Sequence, residues 1–216
     1  MNRRVPQIST LRSGKQRIFS PAAQLPRDTL KTMRTAYIGL GANLPSHAGP
    51  PEATLAAAVL RLAPLGHLAA CSSLYATEPV GYAEQPRFVN AVVALETSLT
   101  ARELLDALLS IEHNFGRDRA NAIPNGPRTL DLDILLFGDL IASEPGLEIP
   151  HPRLAERAFV LVPLNEIAPK AVDPRSDASA AQLLERLSKS GDAANSVVRI
   201  QSEDWHASAK PTDADK

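Results

Sequence analysis

A chain of 216 residues, 44% apolar and 22% charged with a net charge of −1, holds enough apolar residues for one globular core with tails, and too few for two full domains. Its single cysteine, Cys71, excludes an intramolecular disulfide framework. The apolar runs 68–71 and 158–164 fall far short of the roughly 20 residues of a membrane helix, so a cytoplasmic, non-membrane protein is expected. The charge is uneven: residues 1–35 carry eight Lys or Arg against one acid, Asp28, for +7, which leaves −8 for the rest. With no apolar periodicity, 1–34 is expected to be a disordered basic extension, and without an apolar run before a cleavage site secretion is not expected.

In chain order, the first strand signal is 35–40, closed by Gly41 and Asn43. The spacing of Leu55, Val59 and Leu62 predicts a helix over 52–65, stopped by Pro64 and Gly66. Residues 68–76 and 88–96 read as strands joined by a proline-bearing loop, 77–87. Thr100 followed by Glu103 forms an N-cap signature for a helix through Leu104, Leu105, Leu108, Ile111, Glu112 and Phe115, which Gly116 can end. After a loop, 117–128, the run 130–137 alternates Leu130, Leu132, Ile134 and Leu136 against Asp131, Asp133, Leu135 and Phe137. The order β-α-β-β-α-β predicts an α+β, ferredoxin-like core: an antiparallel sheet with helices on one face and the other face free for a site. Helices over 152–167 and 178–189 and a late strand over 196–201 complete a domain spanning 35–201, and 202–216 is expected to be a disordered tail.

The sharpest feature is the run Gly126-Pro-Arg-Thr-Leu-Asp-Leu-Asp-Ile134. Strand side chains alternate, so Asp131 and Asp133 point the same way, about 7 Å apart along the chain. Adjacent carboxylates repel unless a cation lies between them, and hard oxygen ligands in that number suit Mg²⁺, which completes its shell with water and phosphate. A bare Asp-x-Asp is more often a solvated strand face; the surroundings alter that balance. Arg117, Arg119 and Arg128 flank the acids on one side, and His151, Arg153 and Arg157 follow on the other. Several guanidinium forks beside a metal-binding pair are what a polyphosphate requires. No Walker A motif and no Gly-x-Gly-x-x-Gly is present. Thr77 and Asn90 could read the edge of a heterocycle, and Phe88 or Phe159 could stack on its face, although Phe159 alone reads by composition as core.

The segments Ala36-Tyr-Ile-Gly-Leu-Gly-Ala-Asn-Leu44, Gln85-Pro-Arg-Phe-Val-Asn-Ala91, Ile111-Glu112 with Gly116, Arg117 and Arg119, the run 126–136, and Ile149-Pro-His151 with Arg157-Ala-Phe159 resemble the 6-hydroxymethyl-7,8-dihydropterin pyrophosphokinase family, in that family's order over about 35–170. The resemblance implies transfer of diphosphate from ATP to the hydroxymethyl group of a reduced pterin, with release of AMP, in folate biosynthesis. It implies two Mg²⁺ ions on Asp131 and Asp133, with Arg117, Arg119 and Arg128 as catalytic and phosphate-binding residues. Glu112, Ile134, His151 and Arg157 are implied on the ATP side. Thr77, Val80, Phe88, Asn90 and Phe159 are implied around the pterin, the two aromatics sandwiching the ring. ATP and the pterin are the expected partners, and a monomer is expected. The segment 119–126 lacks an additional arginine and a tryptophan found in many members, Pro152 stands where some have tyrosine, and Glu78 where some have proline. These departures imply a weaker hold on ATP with the chemistry retained.

Two other readings compete. A metal-dependent phosphohydrolase would use the same aspartates with water as acceptor. A non-catalytic RNA-binding module would use the open sheet face and the basic extension, but the folded part is acidic and lacks exposed-strand aromatics, which disfavours nucleic acid.

Overall fold

Strand β1 (Arg34–Ala42) buries Ala36, Ile38, Leu40 and Ala42 on one face and turns Tyr37, Gly39 and Gly41 to the other. The structure is a computed structural model and describes residues 32–119, 123–190, 197–201 and 205–206, all within the unit Lys31–Lys216. The basic extension expected over 1–34 lies, up to residue 31, outside the described residues. Helix α1 (Pro51–Leu62) starts with proline at its first position, where a missing N–H costs nothing, and runs into a 3₁₀ turn, Ala63–Leu65. The single strand expected over 68–76 is two, β2 (His67–Cys71) and β3 (Leu74–Thr77), both paired with β4 (Phe88–Thr97). The break falls at Ser72-Ser73, where Ser73 donates its backbone N–H (2.8 Å) and its hydroxyl (2.7 Å) to the Glu166 carboxylate.

Helix α2 (Ala101–Asn114) has the expected capping box, Thr100 accepting from the Glu103 N–H at 3.2 Å and Glu103 from the Thr100 N–H at 2.7 Å. At its end Gly116 adopts φ +81°, and the N–H groups of Gly116 and Arg117 bond to the carbonyls of His113 and Glu112. This Schellman turn aims Arg117 away from the helix axis. β5 (Asp131–Phe137) then pairs with the opposite edge of β1.

The chain continues with a hairpin of β6 (Ala142–Glu144) and β7 (Leu147–Ile149), then α3 (Ala158–Ile167). Next come a second hairpin of β8 (Val172–Asp173) and β9 (Ala178–Ser179), α4 (Ala180–Lys189) and β10 (Val197–Gln201). The main sheet runs β10-β3-β4-β1-β5, antiparallel throughout, with β2 also on β4.

Four expectations need correction. The helix expected from 152 begins at Ala158, because 154–156 is a 3₁₀ turn and Arg157 is extended at φ −112°, ψ 103°. The helix expected from 178 begins at Ala180, after β9. The alternation in β5 breaks at Leu135: Tyr37 faces Leu136 but Ile38 faces Ile134, so the bulge puts Leu136 on the same face as Leu135 and returns Phe137 to the α1–α2 core. The second face of the sheet is also not left free. α1 and α2 cover the first face, while α3 and α4 pack Leu161, Leu164 and Leu183 against Val92, Leu135 and Leu136 on the second. Trp205, in the expected tail, is 9% exposed within the first core, and its indole N–H donates to the Ser72 carbonyl at 2.7 Å. The rest of that tail, apart from His206, lies outside the described residues.

Candidate active site

Where α3 and α4 stop covering the second face, a cavity of about 410 Å³ opens over the ends of β3, β4, β1 and β5. Its floor follows from strand register. Asn90, Gly41 and Asp131 lie side by side across three strands, and Val92, Gly39 and Asp133 form the next row. The glycines matter for space: a Cβ on Gly41 would lie 3.2 Å from Asn90 Oδ1, and one on Gly39 would lie 3.3 Å from a Leu135 methyl. Two strand positions without side chains leave room beside both carboxylates.

Asp131 and Asp133 share this face as expected but have different neighbours. Asp131 is held by Arg117, in a short contact, and by Arg128 at 3.3 Å. Among the described residues, Asp133 has only His151 Nε2 at 3.9 Å and Arg157 Nη1 at 4.0 Å, beyond hydrogen-bond range. Burial, and next the charge of Asp131, push the Asp133 carboxyl up to about 6. A carboxylate disfavoured in this way is stabilised by a nearby cation. Among the described residues no three His, Cys, Asp or Glu side chains cluster as a metal cage. Two carboxylates opening on a cavity fit Mg²⁺, which takes few protein ligands and leaves the remaining positions to water and phosphate oxygens.

Behind the floor sits Glu112, 1% exposed. It accepts from the Leu132 N–H at 2.8 Å, from Arg117 at 3.2 Å and from Arg119 Nε at 2.8 Å. Burial pushes its pKa up against the pull of Arg117 and the Leu132 N–H. Arg117 also donates to the Leu130 carbonyl at 2.9 Å. Burial opposes its charge, but Asp131 and Glu112 outweigh that and hold its pKa above the ordinary value. Glu112 lines neither cavity; it sets the direction of two arginines that do.

His151 is pushed down to about 4, first by burial and then by Arg157, so it is neutral near pH 7. Its Nδ1 accepts the Arg153 N–H at 3.1 Å, and its Nε2 lies 3.4 Å from Arg157 Nη1 and 3.9 Å from Asp133. Burial likewise lowers the Arg157 pKa, with Asp133 opposing. On the other flank, Asn90 donates to Thr77 Oγ1 at 2.9 Å, both buried. The guanidinium of Arg128 stacks 4.9 Å above the Phe88 ring, and that of Arg157 lies 5.5 Å from Phe159.

Of the residues singled out by sequence, Thr77, Val80, Phe88, Asn90, Arg117, Arg119, Arg128, Asp131, Asp133, His151, Arg157 and Phe159 line this cavity. Ile134 does not; it lines a second cavity, of about 290 Å³, together with Leu105, Glu144, Leu147, Glu148 and Pro152. Asp133 and His151 belong to both. Sequence reasoning did not single out Gly41, Asn125, Glu156 or Val197 as cavity residues, nor the loop-joining role of Asn43. The Asn43 amide donates to Gln85 at 2.9 Å and to the Pro86 carbonyl at 3.0 Å, while its oxygen accepts the Arg128 N–H at 2.8 Å. Gln85 in turn donates to the Asn125 carbonyl at 2.8 Å. The clue was an amide standing just past a strand end in the run Gly39-Leu-Gly-Ala-Asn43.

The family model described as 7,8-dihydro-6-hydroxymethylpterin-pyrophosphokinase (HPPK) matches residues 37–169, a stretch that contains every residue named as lining the two cavities except Val197. The chain belongs to the HPPK family. Curated relatives named 2-amino-4-hydroxy-6-hydroxymethyldihydropteridine pyrophosphokinase agree with this. The Synechocystis protein is 43% identical over 164 residues, 75% of this chain and 80% of its own. The Pseudomonas aeruginosa protein is 50% identical over 139 residues, 63% of this chain and 82% of its own. Among solved structures, the wild-type Plasmodium falciparum HPPK-DHPS with pterin and p-hydroxybenzoate aligns with a TM-score of 0.60 at 16% identity, over 78% of this chain. That likeness is one of fold, and this chain spans 45% of that longer protein. Membership of the HPPK family favours neither the phosphohydrolase nor the RNA-binding reading.

Proposed function

We propose that the two cavities are the two substrate sites of a pyrophosphokinase, which transfers diphosphate from ATP to 6-hydroxymethyl-7,8-dihydropterin and releases AMP. The observation that carries this reading is the Asp131–Asp133 pair, Asp131 in the larger cavity and Asp133 on the wall shared with the smaller one, with Arg117, Arg128, His151 and Arg157 around it. Phosphates crossing from one cavity to the other would pass over the aspartates. We read the strand order β5-β1-β4-β3, with β2 on the same strand as β3, as the ferredoxin-like arrangement of the family.

The larger cavity takes the pterin. Thr77 and Asn90 present a fixed donor–acceptor pair to the heterocycle edge, and Phe88 and Phe159 offer their faces. Arg128 and Arg157 cover those faces in this structure, so a flat ring entering there displaces two guanidinium groups toward the phosphates. The smaller cleft with Leu105, Ile134 and Leu147 takes the nucleotide base. Asp131 and Asp133 would hold Mg²⁺, two ions in the family reading, which when bound would supply charge neutralisation at the triphosphate and make the attacking hydroxyl more acidic. Arg117 and Arg128 lie against Asp131 and can reach phosphate oxygens from that position, holding the chain in line for attack. His151 stays an uncharged imidazole on the phosphate path throughout the physiological pH range. The hydroxymethyl oxygen of the pterin bonds to the β-phosphorus and gives up its proton to water, the bond from that phosphorus to the α,β-bridging oxygen breaks, and AMP leaves.

Product analysis tests this. Full-length protein with ATP and Mg²⁺ is expected to form AMP and the pterin diphosphate in equal amounts, only when the pterin is present. Inorganic phosphate released from ATP without pterin would support the hydrolase instead.

A further inference from the structure

Beyond the residues matched to the family, at 37–169, the turn between β8 and β9 presents Arg175 to the back of the wall that the two cavities share. The turn is held by a buried carboxylate: Asp173 accepts the Arg175 N–H at 2.9 Å and the Ser176 hydroxyl at 2.9 Å, and its own carbonyl accepts the Asp177 N–H at 2.9 Å. From this base the Arg175 guanidinium reaches three groups. Nη2 donates to the Pro150 carbonyl, in a short contact, and to the His151 carbonyl at 3.1 Å; Nη1 donates to Glu148 at 3.3 Å.

These three partners lie in one stretch of chain, and that stretch is the wall. Glu148 lines the smaller cavity, and His151 lines both. On its other side the His151 N–H donates to the Leu135 carbonyl at 2.9 Å, at the bulge of β5. The His151 backbone is therefore held from both directions, by β5 through its N–H and by Arg175 through its carbonyl. Arg175 itself is not among the residues lining either cavity.

We propose that Arg175 is a positioning residue for the nucleotide side of the reaction, fixing His151 and Glu148 by holding the carbonyls of Pro150 and His151 and the Glu148 carboxylate. A planar fork with several donors can bind three acceptors at once in a fixed geometry, which a lysine cannot. Its loss frees a stretch of wall and leaves the Glu148 carboxylate without its partner beside an incoming polyphosphate. The inference rests on the smaller cavity being the nucleotide site.

The test is calorimetric titration of the full chain with ATP and Mg²⁺ in the absence of pterin, for wild type, Arg175→Ala and Arg175→Lys. Arg175→Ala is expected to weaken nucleotide binding about tenfold, the scale of one or two lost charge-assisted hydrogen bonds. Pterin binding should stay within about twofold and Tm within about 3 °C. Arg175→Lys should recover part of the loss. Arg175→Ala binding ATP within about twofold of wild type would overturn the proposal. So would an equal loss of pterin affinity and of Tm, which would make Arg175 a general structural support. If wild type forms no AMP with pterin, the proposed reaction falls, while the titration still decides the role of Arg175.

Discussion

The two faces of the sheet are built from the same strands but serve different ends. On the first, the inward positions Ala36 to Ala42 of β1 and Val89 to Leu95 of β4 are apolar, and α1 and α2 close over them with Leu55, Val59, Leu104 and Leu108 fully buried. On the second, an apolar cluster occupies one end, where Val92, Leu135 and Leu136 meet α3 and α4. The other end carries Thr77, Phe88, Asn90, Gly41, Asp131 and Asp133. Covering that end with an apolar helix would bury carboxylates and amides without partners, at a cost of several kcal/mol. The helices therefore stop where the polar row begins, and the difference between core and site is set by which residues occupy alternate positions of four strands.

Three substitutions sharpen that contrast, from the largest expected effect to the smallest. Leu108→Ala opens a cavity in the first face and should cost about 3 kcal/mol in urea unfolding, while kcat and KM stay within about twofold. A parallel loss of activity would mean that the two faces are not independent. Gly41→Ala places a methyl beside Asn90 Oδ1 on the second face. It should lower kcat/KM about tenfold, near 1.4 kcal/mol, and change stability by less than about 1 kcal/mol. Unchanged kcat/KM would remove the need for open space at that strand position.

The smallest effect concerns the polar link that ties α3 to the second face. Tyr75 donates its hydroxyl to Glu166 at 3.0 Å, and burial followed by Glu166 pushes it up to about 12. The folded pKa lies above the ordinary value near 10, so the contribution is complete below about pH 10 and is lost as pH rises toward about 12. Tyr75→Phe should flatten the fall in stability across that window in denaturant unfolding at stepped pH. An identical slope in both proteins would place the alkaline transition elsewhere.

Much of this was legible in the sequence where the signal is local. The capping box at Thr100 and Glu103, the stop at Gly116, the strand carrying Asp131 and Asp133 and the arginines around it all lie within short windows whose physics is self-contained. What was hidden depends on distant partners. Ser72-Ser73 breaks a strand because Glu166, 93 residues on from Ser73, takes the Ser73 N–H. The bulge at Leu135 depends on its register with Tyr37 and Ile38. Trp205 sits in a polar tail, yet finds the Ser72 carbonyl and the first core. Arg175 carries no local signal at all, since its three acceptors lie 24 to 27 residues upstream.

The most direct test of the account is the rate of AMP formation from ATP, Mg²⁺ and 6-hydroxymethyl-7,8-dihydropterin by wild type, Asp131→Ala and Asp133→Ala, with folding of each confirmed by thermal unfolding. If phosphates cross between the cavities over these two carboxylates, each folded variant should lose at least about a thousandfold in rate, or ~4 kcal/mol of transition-state stabilisation. A folded Asp133→Ala protein working within about tenfold of wild type would place the chemistry away from the wall where the two cavities meet, and the account would fail.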